Sequence, residues 1–276
     1  MKNLSRRTSI ALSLILFLAF ASWFLVFSQY SKKVEVFDLD KIRQKIVRIE
    51  YDVQGYNQQG KKVTGTLNGS GVIFFANKNL IQIGTNRHVI DCGYGLGAQC
   101  FKRSSEKVRV VMHDGKVFDV SQILIAPHGL DIAILNITTN KSKEYYQAYS
   151  RNIYDPTLSI NERVVAVGYP NLTDSSSVKF STSEGRILGF EDLVISDKIS
   201  FKIIYSDAYT SFGSSGGGLF DSNGRLIGLT TWITDKSRQS KAIEANIVTI
   251  NLNDPFIVCP SGYHFRGNST CIPYVD

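Results

Sequence analysis

Short β-branched runs, cut at close intervals by Gly, Asn and Asp, constrain this chain more than any other feature. From Val47 to Tyr51 apolar and polar residues alternate, and further runs follow at 71–75, 80–83, 108–112, 117–120, 123–126 and 132–137. Gly55, Asn57 and Gly60 mark one turn and Asp114-Gly115 another. A second group comprises 164–167, 185–188, 201–205, 219–220, 226–232 and 245–250, with a turn at Asp221-Ser222-Asn223-Gly224. Between the groups, 138–160 is polar and carries Tyr145, Tyr146 and Tyr149, as an interbarrel connection would. No stretch has the 3.6-residue period of a long amphipathic helix. Alternation with period two and frequent turn residues predict an all-β fold. Two groups of about six strands predict two six-stranded antiparallel β-barrels side by side, at about 45–140 and 160–250, within one domain spanning 45–250.

The first 30 residues stand outside that pattern. Lys2, Arg6 and Arg7 precede an uncharged run, 10–27, which as a helix reaches ~27 Å, just enough to cross a bilayer. Ala19-Phe20-Ala21 offers a cleavage site, but Trp23-Phe24-Leu25-Val26-Phe27 continues apolar beyond it. An N-terminal hydrophobic helix acting as an uncleaved signal anchor is favoured over a cleaved signal peptide. Residues 31–44 then form a stalk or short helix. The rest lies outside the cytoplasm under either reading, tethered to a membrane or secreted.

Net charge is +7, and Lys2, Arg6 and Arg7 supply three of it, leaving +4 on the exported part. No Arg/Lys run with interleaved aromatics suggests nucleic-acid binding. The four cysteines favour two local disulfides by spacing, Cys92–Cys100 and Cys259–Cys271. Export makes disulfides plausible. A zinc site would want Cys-x-x-Cys or close His/Cys pairs, and the sequence has none. No metal or cofactor is expected. The tail, 251–276, is expected to fold as a disulfide-closed loop.

Chemistry concentrates at Gly213-Ser214-Ser215-Gly216-Gly217-Gly218. Glycines let the backbone approach a bound group closely, so this loop could aim N–H groups at one point beside a serine nucleophile. A flexible Gly/Ser linker is the alternative. Serine needs a base. Of His88, His113, His128 and His264, His88 has the best local setting, at the end of an apolar strand. Asp131 opens Asp131-Ile132-Ala133-Ile134-Leu135, where a charge is costly unless paired.

Three blocks, Thr85-Asn86-Arg87-His88-Val89, Asp131-Ile132-Ala133-Ile134-Leu135 and Gly213-Ser214-Ser215-Gly216-Gly217, together resemble those of trypsin-like serine peptidases with the chymotrypsin fold. The likeness is closest to the bacterial HtrA-like protease domain. Gly69-Ser70-Gly71-Val72-Ile73, Val167-Gly168-Tyr169-Pro170 and Asp221 through Gly228 fit as well. The resemblance covers about 45–250, and the PDZ domain that HtrA-like proteins carry after it is not expected here.

What the resemblance implies is a serine endopeptidase that acts on proteins or peptides in the bacterial periplasm through an acyl-enzyme. His88 would be the base, Asp131 would orient it, and Ser215 would attack. The N–H groups of Gly213 and Ser215 would form the oxyanion hole. The substrate pocket would have its floor at Tyr209 and its wall around Thr231 and Trp232. Neither end supplies a charge, which points to a small or aliphatic side chain. Departures are Ser214, where the family has Asn or Asp, Gly218, where it has Pro, and Arg87 beside the base, a side chain expected to turn to solvent. Ser214 argues against activation through a newly cut N-terminus. A catalytically inactive trypsin fold serving as a binding module is the alternative.

Overall fold

In the order of the chain, a computed structural model gives a one-turn helix α1 (Leu39–Arg43), then β1 (Ile46–Tyr56), β2 (Lys62–Asn77), β3 (Leu80–Thr85), a one-turn helix α2 (Arg87–Ile90), β4 (Lys102–Val111), β5 (Val117–Asp119), β6 (Gln122–Ile125) and β7 (Ala133–Thr138). A 3-10 turn (Ser142–Glu144) leads on to β8 (Arg163–Gly168), β9 (Ser181–Ser196), β10 (Ile199–Ser206), β11 (Gly218–Asp221), β12 (Leu226–Thr234) and β13 (Gln239–Glu244). A hairpin of β14 (Tyr263–Arg266) and β15 (Thr270–Pro273) ends the chain. The structure describes residues 37–94, 102–149, 158–171, 178–196, 199–234, 239–244, 256–266 and 270–275. The expected N-terminal helix, the residues of the expected strand 245–250, and Cys100 lie outside them. Among the described residues no helix is long and apolar enough to cross a membrane.

The second half closes as expected. Its six strands form a barrel, in the order β10-β13-β12-β11-β8-β9. Its closing strand is Gln239–Glu244, which pairs with both β10 and β12.

The first half departs from the expected six-stranded barrel. It is a seven-stranded sheet, order β5-β4-β1-β2-β3-β7-β6, whose edge strands do not pair with each other. Consecutive residues explain the difference. Val120 N–H donates to the Val108 carbonyl on β4, whereas Ser121 N–H donates to the Asn136 carbonyl on β7. The chain itself therefore crosses from one edge to the other between the short β5 and β6, and no ladder among the described residues closes the gap. The expected turn at Gly55 also moves. β1 runs through it, with a register shift against β4 at Gln54/Gly55. A Cβ there would sit 2.1 Å from the Lys102 carbonyl oxygen, so glycine serves close strand approach, and the turn falls at 57–60.

Period-two alternation sorts the strands between cores. On β1, Val47, Ile49, Tyr51 and Val53 enter the core of the first half, while Ile46 joins a second cluster. On β8, Val165 and Val167 enter that same second cluster, and Val164 and Ala166 enter the core of the second half. The middle cluster takes Val72, Leu130 and Ile132 from one half and Phe201, Phe220 and Leu229 from the other. It fixes the two halves against each other, and Leu130 and Ile132, on either side of Asp131, belong to it. Phe37 and Ile42, from the expected stalk, are buried in it too.

The C-terminal hairpin is closed by the Cys259–Cys271 disulfide. Phe265 reaches the first core, with Ile257 packed against it. Cys92 is disulfide-bonded.

Candidate active site

His88 sits on α2, the single helical turn that follows β3. Asp131 lies in the loop just before β7 and is 6 % exposed. Its carboxylate grips the histidine twice. Oδ1 accepts the His88 backbone N–H at 2.9 Å, and Oδ2 lies 2.7 Å from Nδ1. An ionised Asp131 assigns the proton to Nδ1 and leaves Nε2 as an acceptor. The His88 side chain keeps 33 % exposure, so that acceptor is open to a visitor.

Asn86 carries this pair across to the second half. Its Nδ2 donates to the Asp131 carbonyl at 2.9 Å and to Thr231 Oγ1 at 3.0 Å. Tyr94 backs the Asp131 loop by donating its phenol to the Gly129 carbonyl at 2.5 Å. Burial, then the nearby Asp131 charge, pushes that phenol up to about 12.

Ser215 comes from the turn between β10 and β11. Gly213 and Gly216 both have left-handed backbones, φ +90° and +79°. Side chains at either position would collide. A Cβ on Gly216 would lie 2.2 Å from both the Ser70 carbonyl oxygen and Thr85 Oγ1, which presses the residue after Ser215 onto the segment leading to His88. Gly217 and Gly218 sit where the packing leaves no room for a side chain. Their Cβ atoms would meet the Val167 carbonyl and the Phe220 ring.

Ser70, on β2, bolts this turn to the first half. Its N–H donates to the Ser215 carbonyl at 2.9 Å, and its hydroxyl donates to the Gly213 carbonyl at 2.7 Å while accepting from Tyr169 N–H at 2.8 Å. Sequence reasoning gave Ser70 and Asn86 no role. The available signal was the pair of glycines around Ser70. A Cβ on Gly69 would strike Val89, and one on Gly71 would strike Ile83. Such crowding marks a strand forced close to its neighbours.

The turn spends its backbone donors unevenly. N–H of Ser214 goes to Ser211, that of Gly216 to Thr230 and that of Gly217 to Ser214. The N–H groups of Gly213 and Ser215 have no acceptor among the described residues. Ser215 Oγ and His88 Nε2 likewise make no hydrogen bond there, so the structure joins His88 to Asp131 but does not bond Ser215 to His88. Catalytic hydrogen bonds are often long without substrate.

The departures from the family pattern have physical roles. Ser214, 7 % exposed, folds its turn onto itself, accepting from Ser211 N–H at 3.3 Å. Arg87 does not turn to solvent. It is 1 % exposed, because Asp91 one helical turn on accepts its Nε at 2.9 Å.

Beside this turn lies a cleft of about 180 Å³. Tyr209, Thr210, Ser211 and Ser214 line it, with Ser181 and Ser183 among the residues of β9, and none of the described residues lining it is charged. Tyr209 is 65 % exposed, a rim and not a buried floor. Thr231 is bound to Asn86 and does not line this cleft. The Trp232 side chain lies outside the described residues. Phe212, 85 % exposed, stands directly before Gly213.

Comparison with known proteins agrees with this architecture. Escherichia coli (strain K12) periplasmic pH-dependent serine endoprotease DegQ is 32 % identical over 167 residues, 60 % of this chain and 31 % of the relative. The E. coli K12 periplasmic serine endoprotease DegP is 29 % identical over 181 residues, 65 % of this chain and 33 % of the relative. For the serine endoprotease DegS of the same strain the values are 29 %, 186 residues, 64 % and 42 %. The matched region thus spans less than half the length of these relatives. The crystal structure of Rv3671c protease in its inactive form shares the fold, with a TM-score of 0.52 at 19 % identity, covering 76 % of this chain and 88 % of that one. A second inactive form, from M. tuberculosis H37Rv, scores 0.53. The family description "Trypsin-like peptidase domain" matches residues 69–229, and with more than half its length so matched, the chain belongs to the trypsin-like peptidase family.

Proposed function

We propose that this protein is a serine endopeptidase with His88, Asp131 and Ser215 as its catalytic triad. The observation that carries the reading is the double grip of Asp131 on His88, which leaves Nε2 free to take a proton. Ser215 Oγ attacks the substrate's peptide carbonyl carbon, and its proton passes to Nε2. The carbonyl oxygen becomes an oxyanion, received by the N–H groups of Gly213 and Ser215, which have no acceptor among the described residues. Collapse breaks the C–N bond, and His88 returns the proton to the departing amine. Water then attacks the acyl-enzyme, with His88 again as base. Asp131 stays ionised and stabilises the imidazolium.

The hydroxyl-lined cleft beside the turn supports an uncharged side chain at the cleavage site. A charged one would lose its hydration without gaining a partner. The uncharged N-terminal run, 10–27, and the two periplasmic relatives support action outside the cytoplasm, with that run as the membrane tether.

A fluorophosphonate probe tests the reading directly. Labelling is expected at Ser215 in the wild type and is expected to vanish in Ser215→Ala and His88→Ala. A peptide-library digest should show cleavage after uncharged residues that Ser215→Ala lacks. Identical digests from both proteins would sink the peptidase assignment and leave a binding module.

A further inference from the structure

A file of buried charges runs from the histidine helix to the end of the chain. Arg87, beside His88, donates to Asp91 Oδ2. Asp91 Oδ1 receives Nη2 of Arg103 from β4. Arg103 Nη1 donates to Glu106 Oε2 at 3.0 Å. Glu106 accepts two phenols, Tyr51 at 2.6 Å and Tyr274 at 2.8 Å. Side chains of Arg87, Asp91 and Arg103 are 1–3 % exposed. Charges so deeply buried hold their place only while each has its partner, and removing one leaves another stranded.

Tyr274 belongs to the C-terminal segment. Its ring lies 5.2 Å from that of the buried His264, and the next residue, Val275, donates its N–H to the Arg103 carbonyl at 2.9 Å. Burial first, then the Glu106 charge, holds the Tyr274 phenol well above its ordinary range, so it remains a donor.

The same segment also reaches the Asp131 side. Ile257 exchanges backbone hydrogen bonds with Ile125 at 2.9 and 2.8 Å, at the end of β6, where the chain leaves for the loop that carries Asp131. The two sides meet again at Tyr94, whose ring lies 4.5 Å from the Arg87 guanidinium and whose hydroxyl holds Gly129.

We propose that the C-terminal segment is a strap that sets the geometry of the His88–Asp131 pair, and that Tyr274 is a positioning residue acting through Glu106, Arg103, Asp91 and Arg87. Its consequence for turnover rests on the peptidase reading. Its consequence for His88 does not.

Tyr274→Phe keeps the ring against His264 and removes only the hydroxyl. Two readouts apply to the full chain: kcat and KM on a cleaved peptide, and the NMR resonance of the His88 Nδ1 proton shared with Asp131. The expected result is a roughly tenfold fall in kcat with KM unchanged within about twofold, together with a shifted or broadened Nδ1 proton. Tyr263→Phe, exposed on the same hairpin, should move neither. Should Tyr274→Phe fail to fold, Glu106→Gln, which keeps an acceptor for Tyr274 but drops the charge facing Arg103, is expected to shift the same resonance. A folded Tyr274→Phe with an unchanged Nδ1 proton overturns the proposal, even if its melting temperature falls. If the wild type cleaves nothing, the peptidase reading fails, and the Nδ1 proton alone decides the strap.

Discussion

The Ser70 hydroxyl donates to the Gly213 carbonyl at 2.7 Å and accepts from Tyr169 N–H at 2.8 Å, so one buried oxygen from the first half fixes the peptide that precedes Ser214. Replacing it strands a buried acceptor and a buried donor. Ser70→Ala should cost ~2 kcal/mol of stability. It should also free the Gly213 turn and lower kcat roughly 10²-fold, the scale of losing an oxyanion donor. Denaturant melts and peptide kinetics measure both. A variant that keeps wild-type kcat would show that the turn holds its shape without this staple.

Asp131 supplies both an acceptor and a charge, and a single substitution separates them. Asp131→Asn preserves size and can still reach His88, but its amide can present N–H to Nδ1 and favour the wrong tautomer. We expect kcat to fall by roughly 10⁴, as in the serine-protease template, with little change in KM. Equal activity in both proteins would remove Asp131 from the reaction.

The strand rhythm revealed the all-β architecture because alternation follows directly from which face of a strand is buried. Closure of the first half was not legible. It depends on Val120 and Ser121 bonding to opposite edges, and neither side chain announces that. His88, Asp131 and Ser215 stood out because each is chemically conspicuous in an apolar or glycine-rich setting. Ser70 and Asn86 did not, since buried serines and asparagines look like any turn residue until their partners across the chain are known. Arg87 misled for a related reason. Whether an arginine is buried is decided by a carboxylate such as Asp91, whose own burial local sequence does not disclose.

Glycine at 216 is required for space as well as conformation. Gly216→Ala faces a φ of +79° and two contacts of 2.2 Å, with Ser70 O and Thr85 Oγ1. Strain and overpacking together predict a loss of roughly 3 kcal/mol, a fall in Tm of about 6–12 °C for a chain of this size. Gly115→Ala is the matched control. Its φ is +83°, but nothing lies within 4 Å of the new Cβ, so only the backbone cost of about 1 kcal/mol applies. Thermal melts that fall equally for both would mean that packing at Gly216 is slack.

His264 makes stability depend on mild acid. It is 2 % exposed, and its Nε2 has no partner among the described residues. Burial is the largest influence and, with Arg103 nearby, lowers its pKa below the ordinary 6.5; the Phe265 carbonyl and the charges of Glu106 and Asp91 pull the other way without winning. In the unfolded chain the imidazole takes a proton as pH falls through about 6.5, while the folded protein resists until its lower pKa is reached. Over that window the unfolded state binds more protons, so stability rises with pH and is lost on acidification. His264→Phe keeps a ring against Tyr274 and removes the titration. The Tm difference between pH 7.5 and pH 5.5 should therefore be smaller in the variant than in the wild type. An identical difference in both proteins would show that His264 takes its proton equally well folded and unfolded, and that its burial against the C-terminal segment is looser than the geometry describes.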